Sequence, residues 1–194
     1  MLDHSAVIKR VFEALVEDRQ DQACQIARAE YPFVGKEVAG RRYTEFQSTQ
    51  QFIRDGFVDR YSGQRLVFPG TLRLLSKILP EEFPFHTNWK MSQCHIVYWE
   101  LFPTIDHVVP VARGGRDDES NWATTSMLHN SAKSNWTLEE LSWQLVPTGR
   151  VEEWDGLMGL FLMFIETDST HMQDNYIKRW AGAAIRSSRN GLGS

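Results

Sequence analysis

The stretch "IDHVVPVARGGRDDESN", Ile105 to Asn121, constrains the fold of this chain more than any other. Strand-prone residues lead into the charged pair Asp106–His107. A proline and a Gly-Gly turn then reverse the chain, and Asn121 opens a second short strand-like run, "NWATTS". "MLHNSAKSN" follows and reads as a short helix. The order is hairpin, then helix, so the hairpin and the start of the helix face each other. Side chains alternate along a strand, which sends Asp106 and His107 to opposite faces. On one face Asp106 and Asn130 supply two oxygen donors, a set that suits Mg²⁺, an ion that keeps several waters and takes the rest of its shell from phosphate. On the other face His107, with a side-chain pKa ordinarily near 6.5, is placed to take a proton from water. Asn121 carries both a donor and an acceptor and can tie the loop backbone together.

The pattern "DHVVPVARGGRDDESNWATTSMLHNSAKSN" resembles the HNH endonucleases, the ββα-metal nuclease family. The resemblance rests on Asp106-His107-x-x-Pro110, Arg113-Gly114-Gly115, Asp117, Ser120-Asn121 and Asn130-x-x-Lys133, and it covers about residues 59–136. It implies an α+β protein with a ββα-metal core embedded in a largely helical single domain. The implied activity is metal-dependent hydrolysis of DNA phosphodiester bonds, leaving 5′-phosphate and 3′-hydroxyl ends. By position, His107 matches the general base and Asn121 the supporting asparagine. Asp106 and Asn130 match the ligands of one divalent ion, Mg²⁺ with Mn²⁺ as a substitute. His129 competes with Asn130 if the helix register shifts by one. Arg113, Arg116 and Lys133 are expected to contact nucleic-acid phosphates.

Many members of that family hold a structural zinc with two Cys-x-x-Cys pairs. Here the corresponding frames read Asp59-Arg60-Tyr61-Ser62-Gly63 and Ser126-Met127-Leu128-His129-Asn130. Asp, Ser, Ser and His make a poor tetrahedral zinc site, so no structural zinc is expected. The helices and aromatic connection of residues 70–100 are expected to replace it as a clamp.

The rest of the chain reads as scaffold. "SAVIKRVFEALV" places Val7, Ile8, Val11, Phe12, Leu15 and Val16 at helical spacing, and a second helix over about 20–30 completes a helical hairpin. "YPFVGKEVAGRRY" reads as a loop. Thr44 with Gln47, and Thr137 with Glu140, are capping boxes that start further helices. "FVDRYSGQRLVF" suggests a tight hairpin, "TLRLLSKIL" a helix, and "CHIVYWELFPTIDHVVPV" a long strand. The final fifty residues read as two helices, the first apolar almost all round, a candidate for homodimerisation. The expected regions are an N-terminal helical region at 1–53, the nuclease core at 54–145 and C-terminal helices at 146–194.

Composition excludes some classes. The chain has 194 residues, is 42% hydrophobic and carries a net charge of −4. No apolar run approaches the roughly 20 residues that span a bilayer, and the N-terminus lacks a signal-peptide pattern, so a cytoplasmic protein with no membrane partner is expected. Two cysteines do not make a disulfide framework. The acidic balance argues against a generic nucleic-acid binder and for salt-sensitive binding. Two alternatives stand beside the DNA nuclease: a nuclease of the same chemistry acting on RNA, and a catalytically silent nucleic-acid-binding module.

Overall fold

The structure, a computed structural model, describes residues 4–33 and 43–191. The loop expected at 31–43 falls mostly outside these. The chain divides into two compact units, Met1–Arg42 and Tyr43–Ser194.

The first unit is the expected helical hairpin of α1 (His4–Val16) and α2 (Gln20–Glu30). Its seam is made of small residues, with Val7, Ala14 and Ala23 buried. Arg10 pairs with Glu30 across it, and the His4 ring stacks on Tyr31 with centroids 4.1 Å apart. The hairpin itself leaves Ile8, Phe12, Leu15 and Val16 uncovered. Their apolar spacing favours a helix, but the partner helix is too narrow to cover the whole stripe.

The second unit is α+β. Its main core gathers α3 (Glu45–Arg54), α4 (Pro69–Ile78), α8 (Met158–Thr167) and α9 (Asn175–Gly191) around Phe52, Phe57, Phe68, Phe161 and Trp180. α3 starts at the Thr44–Gln47 capping box and packs along α9. α4 starts at Pro69, whose missing N–H costs nothing at a first helical turn.

A second, aromatic cluster sits around Leu72, Tyr98 and Trp89. It explains a departure from expectation. Residues 94–111 do not form one strand: Val97–Glu100 makes a helical turn, α5, and the strand is confined to β1 (Pro103–His107). The turn drives Tyr98 inward, where its hydroxyl donates to the Leu72 carbonyl at 2.8 Å and also meets Ser76. Burial of this ring against α4 outweighs the β-propensity of its neighbours. The expected hairpin at 57–68 also reduces to a single bridge, Val58 to Arg65, closing a tight turn.

β1 pairs antiparallel with β2 (Trp122–Ser126), with Asp106 opposite Ala123 and His107 opposite Trp122. α6 (Met127–Lys133) follows at once, capped by the Ser126 hydroxyl. α7 (Leu138–Leu141) starts at the Thr137–Glu140 capping box. A two-stranded ribbon is marginal by itself and exposes an unpaired edge. Here two buried carboxylates occupy that edge. Asp55 accepts the Thr124 N–H at 2.7 Å, and Asp59 accepts the Ser126 N–H at 3.0 Å. Between them the Arg60 N–H donates to the Thr124 carbonyl. Asp55 is paired with Arg60 at 3.0 Å, and Arg60 in turn reaches the Val146 carbonyl.

The clamp expected from residues 70–100 is therefore found within the two frames themselves. Asp59, fully buried, also accepts from the Tyr61 N–H, the Thr125 hydroxyl and His129 Nδ1, the last at 2.7 Å. Burial alone would push the Asp59 carboxyl up. The Ser126 and Tyr61 N–H groups and then His129 outweigh it and hold it below the usual carboxylate range. Trp143 covers the cluster, its ring against both Tyr61 and His129.

Asp59→Ala removes the shared acceptor of four donors, two of them fully buried, and is expected to cost about 3 kcal/mol or more in urea unfolding. EDTA added to protein prepared without Mg²⁺ or Mn²⁺ is expected to leave the melting temperature unchanged, whereas a zinc-clamped fold would lose stability on chelation.

Candidate active site

β1 places Asp106 and His107 side by side at its end, facing opposite ways. On the Asp106 face, Tyr61 donates its hydroxyl to Oδ2 at 2.6 Å and Lys133 Nζ meets the same oxygen at 2.9 Å. Burial, and then the Asp106 charge, push the Tyr61 phenol well above its ordinary pKa, so it stays protonated and remains a donor. Lys133 also donates to the His107 carbonyl at 2.7 Å, and its side chain is 0% exposed. This corrects the expectation that Lys133 contacts phosphate. The last turn of α6 delivers its ammonium into the interior, where it holds the end of β1.

Asn130 lies three residues before Lys133 on the same helix face. Its amide Nδ2 donates to Thr104 Oγ1 at 2.9 Å and to the Ile105 carbonyl at 3.5 Å. Those bonds set Asn130 beside the residue that precedes Asp106. His129, the competing candidate, faces Asp59 and Ser126 instead. Among the described residues no group of three or more His, Cys, Asp or Glu side chains converges as a metal cage. An ion at this centre would have to be held by few protein groups. The Asp106 carboxylate and the Asn130 amide oxygen are hard donors that fit Mg²⁺ with much of its water shell retained.

On the opposite face, His107 Nε2 lies 2.7 Å from Asp117 Oδ1 and 3.4 Å from the Tyr43 hydroxyl. A carboxylate at Nε2 fixes the proton there and leaves Nδ1 with the free lone pair; the tautomer follows from these partners. Asp117 belongs to the sequence pattern, but no role was legible for it. Its spacing does not set it apart from the adjacent Asp118 and Glu119. Tyr43 and Tyr61 carried no sequence signal, since both come from outside the hairpin and helix.

The loop between the strands is tied by one side chain. Asn121 Oδ1 accepts the Val109 N–H at 2.9 Å, while Nδ2 donates to the Val109 and Arg116 carbonyls at 2.8 and 2.7 Å. The loop can close this tightly because Gly115 has no side chain: a Cβ there would lie 1.9 Å from the Val109 oxygen. Gly114 supplies the left-handed turn at φ +89°. Arg113 and Arg116 stand exposed on this loop, paired with Glu140 at 3.1 Å and Asp118 at 2.6 Å.

The centre thus consists of a carboxylate held by a tyrosine and a lysine on one face, with Asn130 bonded to the strand just before it, an imidazole braced by a carboxylate on the other face, and a loop locked by an asparagine. Residues 92–135 match the family model for the HNH endonuclease. The chain carries an HNH segment. The match takes in α5, β1, the loop, β2 and α6, and it begins after the Asp59–Gly63 frame. No curated protein and no solved structure matches the chain. HNH nucleases act on nucleic acids, so the match points to that class of partner. Among the described residues no helix is long and apolar enough to cross a membrane.

Lys133→Ala is expected to lower stability by about 3 kcal/mol, because it leaves the buried Asp106 carboxylate without its cation. A lysine that only touched phosphate would change unfolding in urea by no more than about 0.5 kcal/mol.

Proposed function

We propose that this protein is a metal-dependent endonuclease that hydrolyses DNA phosphodiester bonds and leaves 5′-phosphate and 3′-hydroxyl ends. The observation that carries the reading is the Asp106–His107 pair at the strand end of the HNH segment, each side chain with its own braced environment.

His107 acts as the base. Its Nδ1 accepts a proton from the attacking water while Asp117, at Nε2, holds the ring and stabilises the imidazolium that forms. Asp106 and Asn130 hold Mg²⁺, with Mn²⁺ as a substitute. The bound ion supplies charge neutralisation at the scissile phosphate and at the leaving 3′-oxygen. Tyr61 and Lys133 keep Asp106 in one orientation by occupying Oδ2. Asn121 keeps the loop, and with it Asp117, in register with His107. Arg113 and Arg116 exchange their exposed carboxylate partners for backbone phosphates.

Supercoiled plasmid incubated with Mg²⁺, Mn²⁺ or EDTA tests this. Nicking or linearisation is expected with either metal and not with EDTA. His107→Ala is expected to reduce the rate by about 10²-fold or more. Asp117→Asn, which keeps a polar partner at Nε2 but not its charge, is expected to lose less. Cleavage of an RNA substrate with no cleavage of plasmid would move the protein to the RNA alternative. Cleavage that survives His107→Ala would overturn the assignment of the base.

A further inference from the structure

Outside the HNH segment, α9 is unusual in its charge. It carries Lys178, Arg179, Arg186 and Arg189, all exposed, and no Asp or Glu. In a chain of net charge −4 this is a concentrated patch of one sign. Arg179 and Arg186 are seven residues apart, and they line one open groove between α9 and the start of α3, about 600 Å³ in volume. Gly182 lies between them on the groove wall, and nothing occupies the space where its Cβ would stand.

The two arginines are held differently. Arg179 Nε meets Glu45 Oε1 at 2.6 Å. Arg186 lies over the Phe46 ring, its guanidinium carbon 3.8 Å from the centroid, and among the described residues it has no ion-pair or hydrogen-bond partner. Contact with a ring face holds the guanidinium through its charge without consuming its N–H donors. A guanidinium held in this way and left with its donors unmatched is prepared for an external anion.

The groove continues towards the candidate active site. A second hollow, about 360 Å³, shares Phe46 and Gln47 with the first and runs past Arg54 to Trp122. Trp122 is the cross-strand partner of His107, and its ring meets Tyr43, whose hydroxyl faces His107. Arg54 donates to the Glu119 carbonyl at 2.9 Å and pairs with the Glu119 carboxylate at 3.6 Å, both residues lining this hollow. The path therefore leads from the cationic helix to the face of the ribbon that presents the proposed base.

We infer that the α3–α9 groove binds the phosphate backbone of the DNA on one side of the scissile bond, with Arg179 and Arg186 as its phosphate contacts. Seven helical residues rise about 10 Å, a length over which one strand of duplex DNA carries about three phosphates. The two arginines thus reach separate phosphates of one strand. Glu45 gives up Arg179 to the nucleic acid, as an exposed pair of this kind contributes little to stability. This inference rests on the reading of the protein as a DNA nuclease and extends it to a surface beyond the HNH segment.

The test uses the full chain carrying His107→Ala, so that binding is read without cleavage. A fluorescent duplex is titrated by anisotropy over a series of salt concentrations, with and without Arg179→Ala and Arg186→Ala together. The double substitution is expected to weaken binding about tenfold and to reduce the slope of log K against log salt by about 2. Arg186→Lys together with Arg179→Lys is expected to restore the slope, since both charges return. Unchanged affinity and slope in the alanine variant would overturn the inference, as would lysine variants that bind as weakly as alanine. Hydrolysis of bis(p-nitrophenyl) phosphate by the intact protein, against its His107→Ala variant, reports the chemistry separately. Hydrolysis with a groove indifferent to substitution would sink the groove alone. Neither hydrolysis nor DNA binding by the intact protein would sink the nuclease reading and the groove with it.

Discussion

A buried carboxylate, Asp59, is the point on which the candidate active site hangs. It receives the N–H of Ser126, the last residue of β2, and it also binds His129 on the first turn of α6. One side chain therefore fixes where the strand ends and how the helix departs. That departure angle decides which residues of α6 face β1, and so it delivers Asn130 to the Thr104–Ile105 backbone and Lys133 to Asp106. At this junction an acid, a histidine and backbone N–H groups meet within the two short frames Asp59–Gly63 and Ser126–Asn130. A buried charge needs such company, since an unpaired carboxylate in the interior is far more costly than a paired one.

The same logic explains why a ribbon of only two strands is stable enough to carry chemistry. Its inner edge is the β1–β2 ladder. Its outer edge is closed by Asp55, Arg60 and Asp59 in succession along one short segment, each meeting a backbone group of β2. Those three residues are themselves tied to α3, to the 146 region and to α6. The ribbon is thus one layer of a polar lattice whose other members stand on the helical core. Precision at Asp106 and His107 comes from that lattice rather than from the strands alone, as a site of this kind requires support that cannot yield by an ångström.

Much of this was legible in the sequence. The capping boxes at Thr44 and Thr137, the hairpin-then-helix order and the opposite facing of Asp106 and His107 all follow from local rules of periodicity and turn chemistry. The function of Asn121 as the loop tie followed from its donor and acceptor alone. What escaped depends on contacts between distant segments. Tyr61 on Asp106 and Tyr43 near His107 are brought in by the tertiary fold, and no spacing announces them. Lys133 escaped for a different reason: a lysine next to a supposed phosphate site invites an exposed role, and only the direction of the last turn of α6 reveals that it is buried. The residues 94–102 misled because aromatic and β-branched side chains favour strands in general, while here Tyr98 gains more by filling the space beside α4.

Division of labour between the two faces of β1 has a physical rationale. In the proposed mechanism, the oxygen donors assigned to a divalent cation and the imidazole assigned to accept a proton are separated by the strand itself. A cation beside an imidazole would disfavour its protonated form and weaken it as a base. Asp117 stands on the imidazole side, where its carboxylate bonds Nε2 and orients the ring. Lys133 stands on the carboxylate side with its ammonium against Asp106 Oδ2; in the proposed mechanism a divalent ion there would draw the balance of its charge from phosphate. The alternation of a single strand thus keeps two opposed electrostatic requirements one residue apart, and the fixed loop behind Asn121 keeps them in register.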